Sequence, residues 1–221
     1  MGASGILLGG PFQQIPVRGN LGENESYTRG GADSKTESAI FFNAQGEPIT
    51  GFAGDEHSVH IDPRYLQTPG GVMTHNHPDN DFGGTLSMQD LKVFANSQLG
   101  EIRAISEQGN VYSLKAGPNA DRAGLARWVK AEQKLMQRNF QRSYDSAYRQ
   151  ATTPLKSGPN KGKVKLVNRR TGKVTYREPM TEAQAVRFAR QYSVGAFDRM
   201  YKKNLGQFGF TYTSTKAKNI Y

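Results

Sequence analysis

Residues 35–118 predict an α/β domain, a mixed β-sheet flanked by helices; a basic helical segment with a small β-hairpin follows it. Three observations carry that reading. Short apolar runs bounded by turn signals alternate with helical spacings in the order strand pair, short helix, strand, helix, strand pair. Charge divides along the chain: residues 1–121 hold 7 Lys/Arg against 14 Asp/Glu, net −7, whereas residues 122–221 hold 22 against 5, net +17. The 221 residues contain no cysteine, so neither a disulfide framework nor a thiolate metal site is available. Any metal must be held by histidine and carboxylate.

Residues 1–34 are rich in Gly, Asn and Ser without a sustained period and read as an extended arm, with at most a short strand near residues 14–18. Residues 37–43 form a strand, Gly46 and Pro48 punctuate a turn, and residues 49–53 pair back. A short alternating stretch covers residues 57–61, where His57 and His60 lack ligand spacing and read as surface or satisfied side chains. Asp62 and Pro63 start a short helix as N-cap and first position, and Pro69-Gly70-Gly71 breaks it before a strand at residues 72–75. Leu91, Phe94, Ala95 and Leu99 give residues 87–99 a helical face, with Gly100 as the terminating glycine. Strands at 101–106 and 111–115 flank Gln108-Gly109-Asn110, a hairpin signal.

Residues 119–150 predict one long basic helix capped at Asn119, with Leu125, Trp128, Val129, Leu135, Met136, Phe140, Tyr144 and Tyr148 as its apolar stripe. Residues 151–163 read as a linker within a final region, 151–221. Strands at 164–167 and 173–177 there enclose a basic turn, and Thr181-Glu182-Ala183-Gln184 is a capping box that opens a helix to about Lys203. Residues 205–221 predict an extended aromatic tail in which Phe208, Phe210, Tyr212 and Tyr221 lack an evident core.

The chemistry concentrates in residues 71–91. On a strand, His75 and His77 project to one face, because side chains alternate. With Asp90 they supply three nitrogen and oxygen ligands, and zinc held in that way keeps a fourth position for water. Ser87 and Asp90 also read as a helix start, a serine N-cap with an acid three residues on. The two readings are compatible, since a capped first turn is held rigidly.

His75-Asn76-His77-Pro78 followed by Ser87-x-x-Asp90 resembles the signature of the JAB/MPN (JAMM) zinc metalloproteases, closest to their bacterial RadC-like branch. The resemblance spans roughly residues 36–115 and implies a JAMM-like sheet, with His75, His77 and Asp90 on Zn2+ and Ser87 stabilising the oxyanion. It implies a general base at Glu37, which precedes an apolar strand; the plainer reading of Glu37 is a solvent-facing carboxylate. Twelve residues separate His77 from Asp90, against about ten in the family pattern, and the surplus falls in a loop, where insertion is tolerated.

The expected activity is therefore zinc-dependent peptide or isopeptide hydrolysis of a polypeptide substrate. The basic half predicts polyanion contact, DNA or RNA through residues 122–221, with Lys161, Lys163, Lys165, Arg169, Arg170 and Lys173 as contacts, or else an assembly surface. The alternative is a phage virion or morphogenesis protein carrying such a domain, with neighbouring virion subunits as partners and catalysis optional. A nuclease or toxin-like effector is a third reading, and no second metal cluster supports it. No run approaches the roughly 20 apolar residues of a membrane span. Residues 1–10 lack the basic region of a signal peptide, which predicts a cytoplasmic protein or one within a phage particle.

Overall fold

The computed structural model describes residues 5–17, 19–21, 23, 36–56, 58–77, 85–106, 109–168 and 171–215. The chain forms two compact units: one comprises residues 1–133 with 198–221, the other residues 134–197. The cuts fall within two long helices. The charge follows the units. The first has a net charge of −1 and the second of +11.

The α/β class is as the sequence predicts. In the first unit, β1 (Gly5–Leu8) pairs in parallel with β5 (Ser58–Ile61). Seven strands build the main sheet: β2 (Gln13–Ile15), β3 (Ser38–Phe42), β4 (Pro48–Ala53), β6 (Val72–His77), β7 (Glu101–Ser106), β8 (Val111–Ala116) and β11 (Phe210–Thr215). Their order is β11-β8-β7-β6-β3-β4-β2, antiparallel except for the β6–β7 pair. A parallel pair needs a long crossover, and the segment between β6 and β7 supplies it with α1 (Met88–Ala95).

Every residue of β3 is buried, which suits its apolar Ala39-Ile40-Phe41-Phe42 run at the sheet centre. Gly46, at φ 82°, makes the turn into β4 that a β-carbon would strain. The arm does more than expected. Ile6 of β1 is fully buried, and Phe12 stacks edge-on against Phe52 at 5.5 Å, beside Phe41 and Tyr65. α1 ends at Ala95 with Asn96 as its C-cap, short of the predicted residue 99. Gly100 instead permits close backbone approach, since a β-carbon there would sit 2.7 Å from the Gly70 carbonyl.

The largest departure is the tail. A short 3-10 turn (Leu205–Phe208) leads into β11, which pairs along the whole of β8. Phe210 and Tyr212 are buried, and Phe210 packs on Phe94. Tyr221 lies outside the described residues. The long helix α2 (Arg122–Thr152) is capped at its start by Asp121, whose carboxylate accepts the Gly124 N–H at 2.7 Å, and not by Asn119. Leu125, Val129 and Met136 of its stripe are buried; Leu135 is exposed.

In the second unit, β9 (Val164–Val167) and β10 (Val174–Arg177) form the expected hairpin. Helix α3 (Glu182–Asn204) begins there with the expected reciprocal Thr181–Gln184 box. Residues 155–163, within the predicted linker, close on themselves through Leu155–Lys163 and Gly162–Leu155 backbone bonds. Among the described residues no helix is long and apolar enough to cross a membrane.

Candidate metal centre

Two strands and one helix converge at the carboxyl end of β6. β3 runs antiparallel to β6 with Ala39 opposite His75. Extending that register by two pairs brings Glu37, just ahead of β3, beside His77. Alternation sends His75 and His77 to the same face, and the first turn of α1 brings Asp90 against them. His75 Nε2 and His77 Nε2 lie 2.9 Å apart. Asp90 Oδ1 is 3.2 Å from His75 Nε2 and Oδ2 is 3.3 Å from His77 Nε2. A tetrahedral ion with bonds of 2.0–2.1 Å sets its ligand atoms about 3.3 Å apart; the two imidazole–carboxylate separations match this, one to each Asp90 oxygen, and the imidazole pair is closer.

Glu37 completes the cluster. Ligand atoms of Glu37, His75 and His77 all lie within 4.8 Å of one another, and this buried group could hold a metal ion. Glu37, His75 and Asp90 are fully buried and His77 nearly so. Among the described residues, both carboxylate oxygens of Glu37, and Nδ1 of His75, are buried without a hydrogen-bond partner. Such groups are costly to leave unsatisfied. Burial pushes the Glu37 carboxyl up to about 8; the His77 charge pulls against this, and Asp90 and Asp55 add to the rise. Burial alone would raise Asp90 too, but the charges and hydrogen bonds of His75 and His77 outweigh it and hold Asp90 far below the carboxylate range. Burial favours a neutral His77 ring, yet the Asp90 hydrogen bond and charge, with Glu37 behind them, shift it upward overall. The cluster thus balances carboxylates against ring protons, a role a cation can take over. Its donors fit one.

The helix start holds Asp90 in place. Ser87 Oγ accepts the Asp90 N–H at 3.1 Å, and Asp90 Oδ2 accepts the Ser87 N–H at 2.6 Å, the full reciprocal box. One oxygen of the proposed ligand is thereby tied to the backbone, and Ser87 is joined to the cluster through Asp90. No family model, curated protein or solved structure matches the chain.

Five of the predicted site residues are accounted for here: Glu37, His75, His77 and Asp90 meet directly, with Ser87 beside Asp90. Pro78 and residues 79–84 lie outside the described residues, as do His57, Arg169 and Arg170. His60 is satisfied, its Nδ1 at 2.8 Å from the Gly9 carbonyl. Lys161, Lys163, Lys165 and Lys173 are exposed in the second unit, which is described by itself.

Three residues around the site went unread in the sequence. The side chain of Asn76, between the two histidines, accepts from Ser38 N (2.7 Å) and Ser38 Oγ (2.9 Å) and donates to the Thr36 carbonyl (2.7 Å). It pins the backbone on both sides of Glu37. A polar residue inside a buried strand must find partners, and that was the available signal. Tyr201 donates its hydroxyl to the Leu86 carbonyl at 2.8 Å, and the Tyr212 hydroxyl lies 3.0 Å from Thr85 Oγ1. Together they hold the two residues that lead into Ser87. Nothing local could have revealed them, because more than 100 positions separate the partners.

Proposed function

We propose that the chain is a zinc-dependent hydrolase of amide bonds, a peptidase or isopeptidase of the JAB/MPN (JAMM) type. His75, His77 and Asp90 are its metal ligands, Glu37 its proton carrier and Ser87 a hydrogen-bond donor. The observation that carries this reading is the buried imidazole–imidazole–carboxylate triangle beside a Glu37 carboxyl that has no hydrogen-bond partner among the described residues. A nitrogen and oxygen donor set without thiolate suits zinc in a catalytic role. When bound, the metal supplies Lewis acidity, which polarises a carbonyl and lowers the pKa of water to roughly 7.

The chain's own groups do the rest. Glu37, buried beside His77, is the carboxylate placed to accept and to release a proton. It takes a proton from the attacking water and returns it to the departing amine as the carbon–nitrogen bond breaks. Ser87 Oγ accepts the Asp90 N–H, which leaves its hydroxyl hydrogen free to donate to the developing oxyanion. Burial of His75, His77 and Asp90 keeps competing water from them.

The test is hydrolysis of a mixed peptide library, and of a ubiquitin-like isopeptide substrate, followed by mass spectrometry. The zinc-loaded chain should cleave in one of the two, and Glu37→Gln should lower the rate by at least about 100-fold with zinc retained. A Glu37→Gln chain as fast as the unaltered one removes Glu37 from the mechanism.

A further inference from the structure

The unit comprising residues 134–197 holds 14 Lys/Arg against 3 Asp/Glu. Its hairpin has two unlike faces. On β9, Val164 and Leu166 are buried while Lys165 between them is exposed. On β10, all four residues are exposed. Directly opposed residues of an antiparallel pair share a face. Tyr176 is opposite Lys165 and Val174 is opposite Val167, so the outer face is a tyrosine–lysine pair beside a valine pair. Tyr176 is 44% exposed and Val174 40%. Lys163 and Lys173, at the hairpin's two flanks, are also exposed. Arg177, opposite Val164 and so on the other face, lines a cleft of about 290 Å³ with Arg187, Phe188 and Met180.

We propose that this hairpin face binds single-stranded nucleic acid. One base stacks on the Tyr176 ring, and Lys163, Lys165 and Lys173 meet the flanking phosphates. The positive charge calls for a polyanion, and the ring selects which one. An acidic polypeptide would use the lysines but has no flat face for the tyrosine. A duplex keeps its base faces stacked inside. A single strand offers both a phosphate chain and open π-faces. This inference does not rest on the hydrolase reading, since no residue of the metal cluster lies in this unit.

The experiment is fluorescence anisotropy of a labelled oligothymidylate of roughly 20 nucleotides, titrated with the full chain at several salt concentrations. Tyr176→Ala should weaken binding roughly 5- to 150-fold at every salt concentration without altering the salt slope, because stacking releases no counterions. Tyr176→Phe should restore most of the affinity. Replacing Lys163, Lys165 and Lys173 together by Gln should reduce the slope of log K against log salt by about 2, at roughly 0.7 for each phosphate contact on a single strand. Unchanged affinity in Tyr176→Ala overturns the proposal. So does a duplex that binds more tightly than the single strand, or polyglutamate that competes as well as the oligonucleotide.

Discussion

Glu37 illustrates how much one residue's surroundings decide. Its carboxyl is buried without a hydrogen-bond donor among the described residues, and its pKa rises from the ordinary 4.5 to about 8. A carboxyl raised in this way binds its proton more tightly in the folded chain than in the unfolded one. Between pH 4.5 and 8 the folded state therefore carries more protons, and stability falls as pH rises. Glu37→Gln removes that penalty. In chelator-treated protein it should leave the melting temperature nearly unchanged at pH 4 and raise it progressively up to about pH 8. A gain of equal size at both ends would show that charge burial is not its source. Asn76 acts in the opposite direction, since its side chain satisfies Ser38 and Thr36. Asn76→Ala takes the acceptor from the buried Ser38 amide and hydroxyl and should cost about 2–4 kcal/mol in urea unfolding. A loss under 1 kcal/mol would mean that water replaces the amide.

At the scale of elements, the sequence was most legible where pattern and chemistry are local. The apolar run of β3, the β7–β8 hairpin, the Ser87–Asp90 box and the Thr181–Gln184 box all depend on neighbours within a few residues. So did the histidine pair, because alternation on a strand fixes the shared face. What was not legible is long-range. The burial of Phe210 and Tyr212 depends on β8 and α1, far back along the chain, and their own segment has no period that announces a strand partner. Asp121 displaced Asn119 as the cap of α2 because either residue can play that part and only packing chooses. Tyr201 makes the long-range dependence testable. It is fully buried, donates to the Leu86 carbonyl and packs on Tyr212 at 5.3 Å. Tyr201→Phe keeps the ring but frees the segment leading to Ser87 and Asp90. Competition with a fluorescent chelator should show zinc affinity roughly 10-fold weaker, while Tyr65→Phe, whose ring stacks with Phe41 and Phe52 away from the cluster, should leave it unchanged.

At the scale of the whole molecule, the charge asymmetry of the sequence is sharpest when counted over the two compact units. Residues 198–215 return to the unit that holds Glu37, His75, His77 and Asp90 and complete its sheet through β11, and the positive charge concentrates in residues 134–197. Composition detects the excess charge; it does not detect a chain that leaves one unit and comes back. The account turns on which carboxylate joins His75 and His77, because Asp90 and Glu37 both lie near the imidazoles. Asp90 is closer and is tied by the helix cap, whereas Glu37 is unrestrained at both oxygens. Zinc content, measured by mass spectrometry on protein purified without chelator and then offered excess zinc, decides between them. The account predicts about one zinc per chain, retained in Glu37→Gln and lost in His75→Ala and Asp90→Asn. A chain that takes up no zinc, or zinc kept by Asp90→Asn and lost by Glu37→Gln, would contradict it.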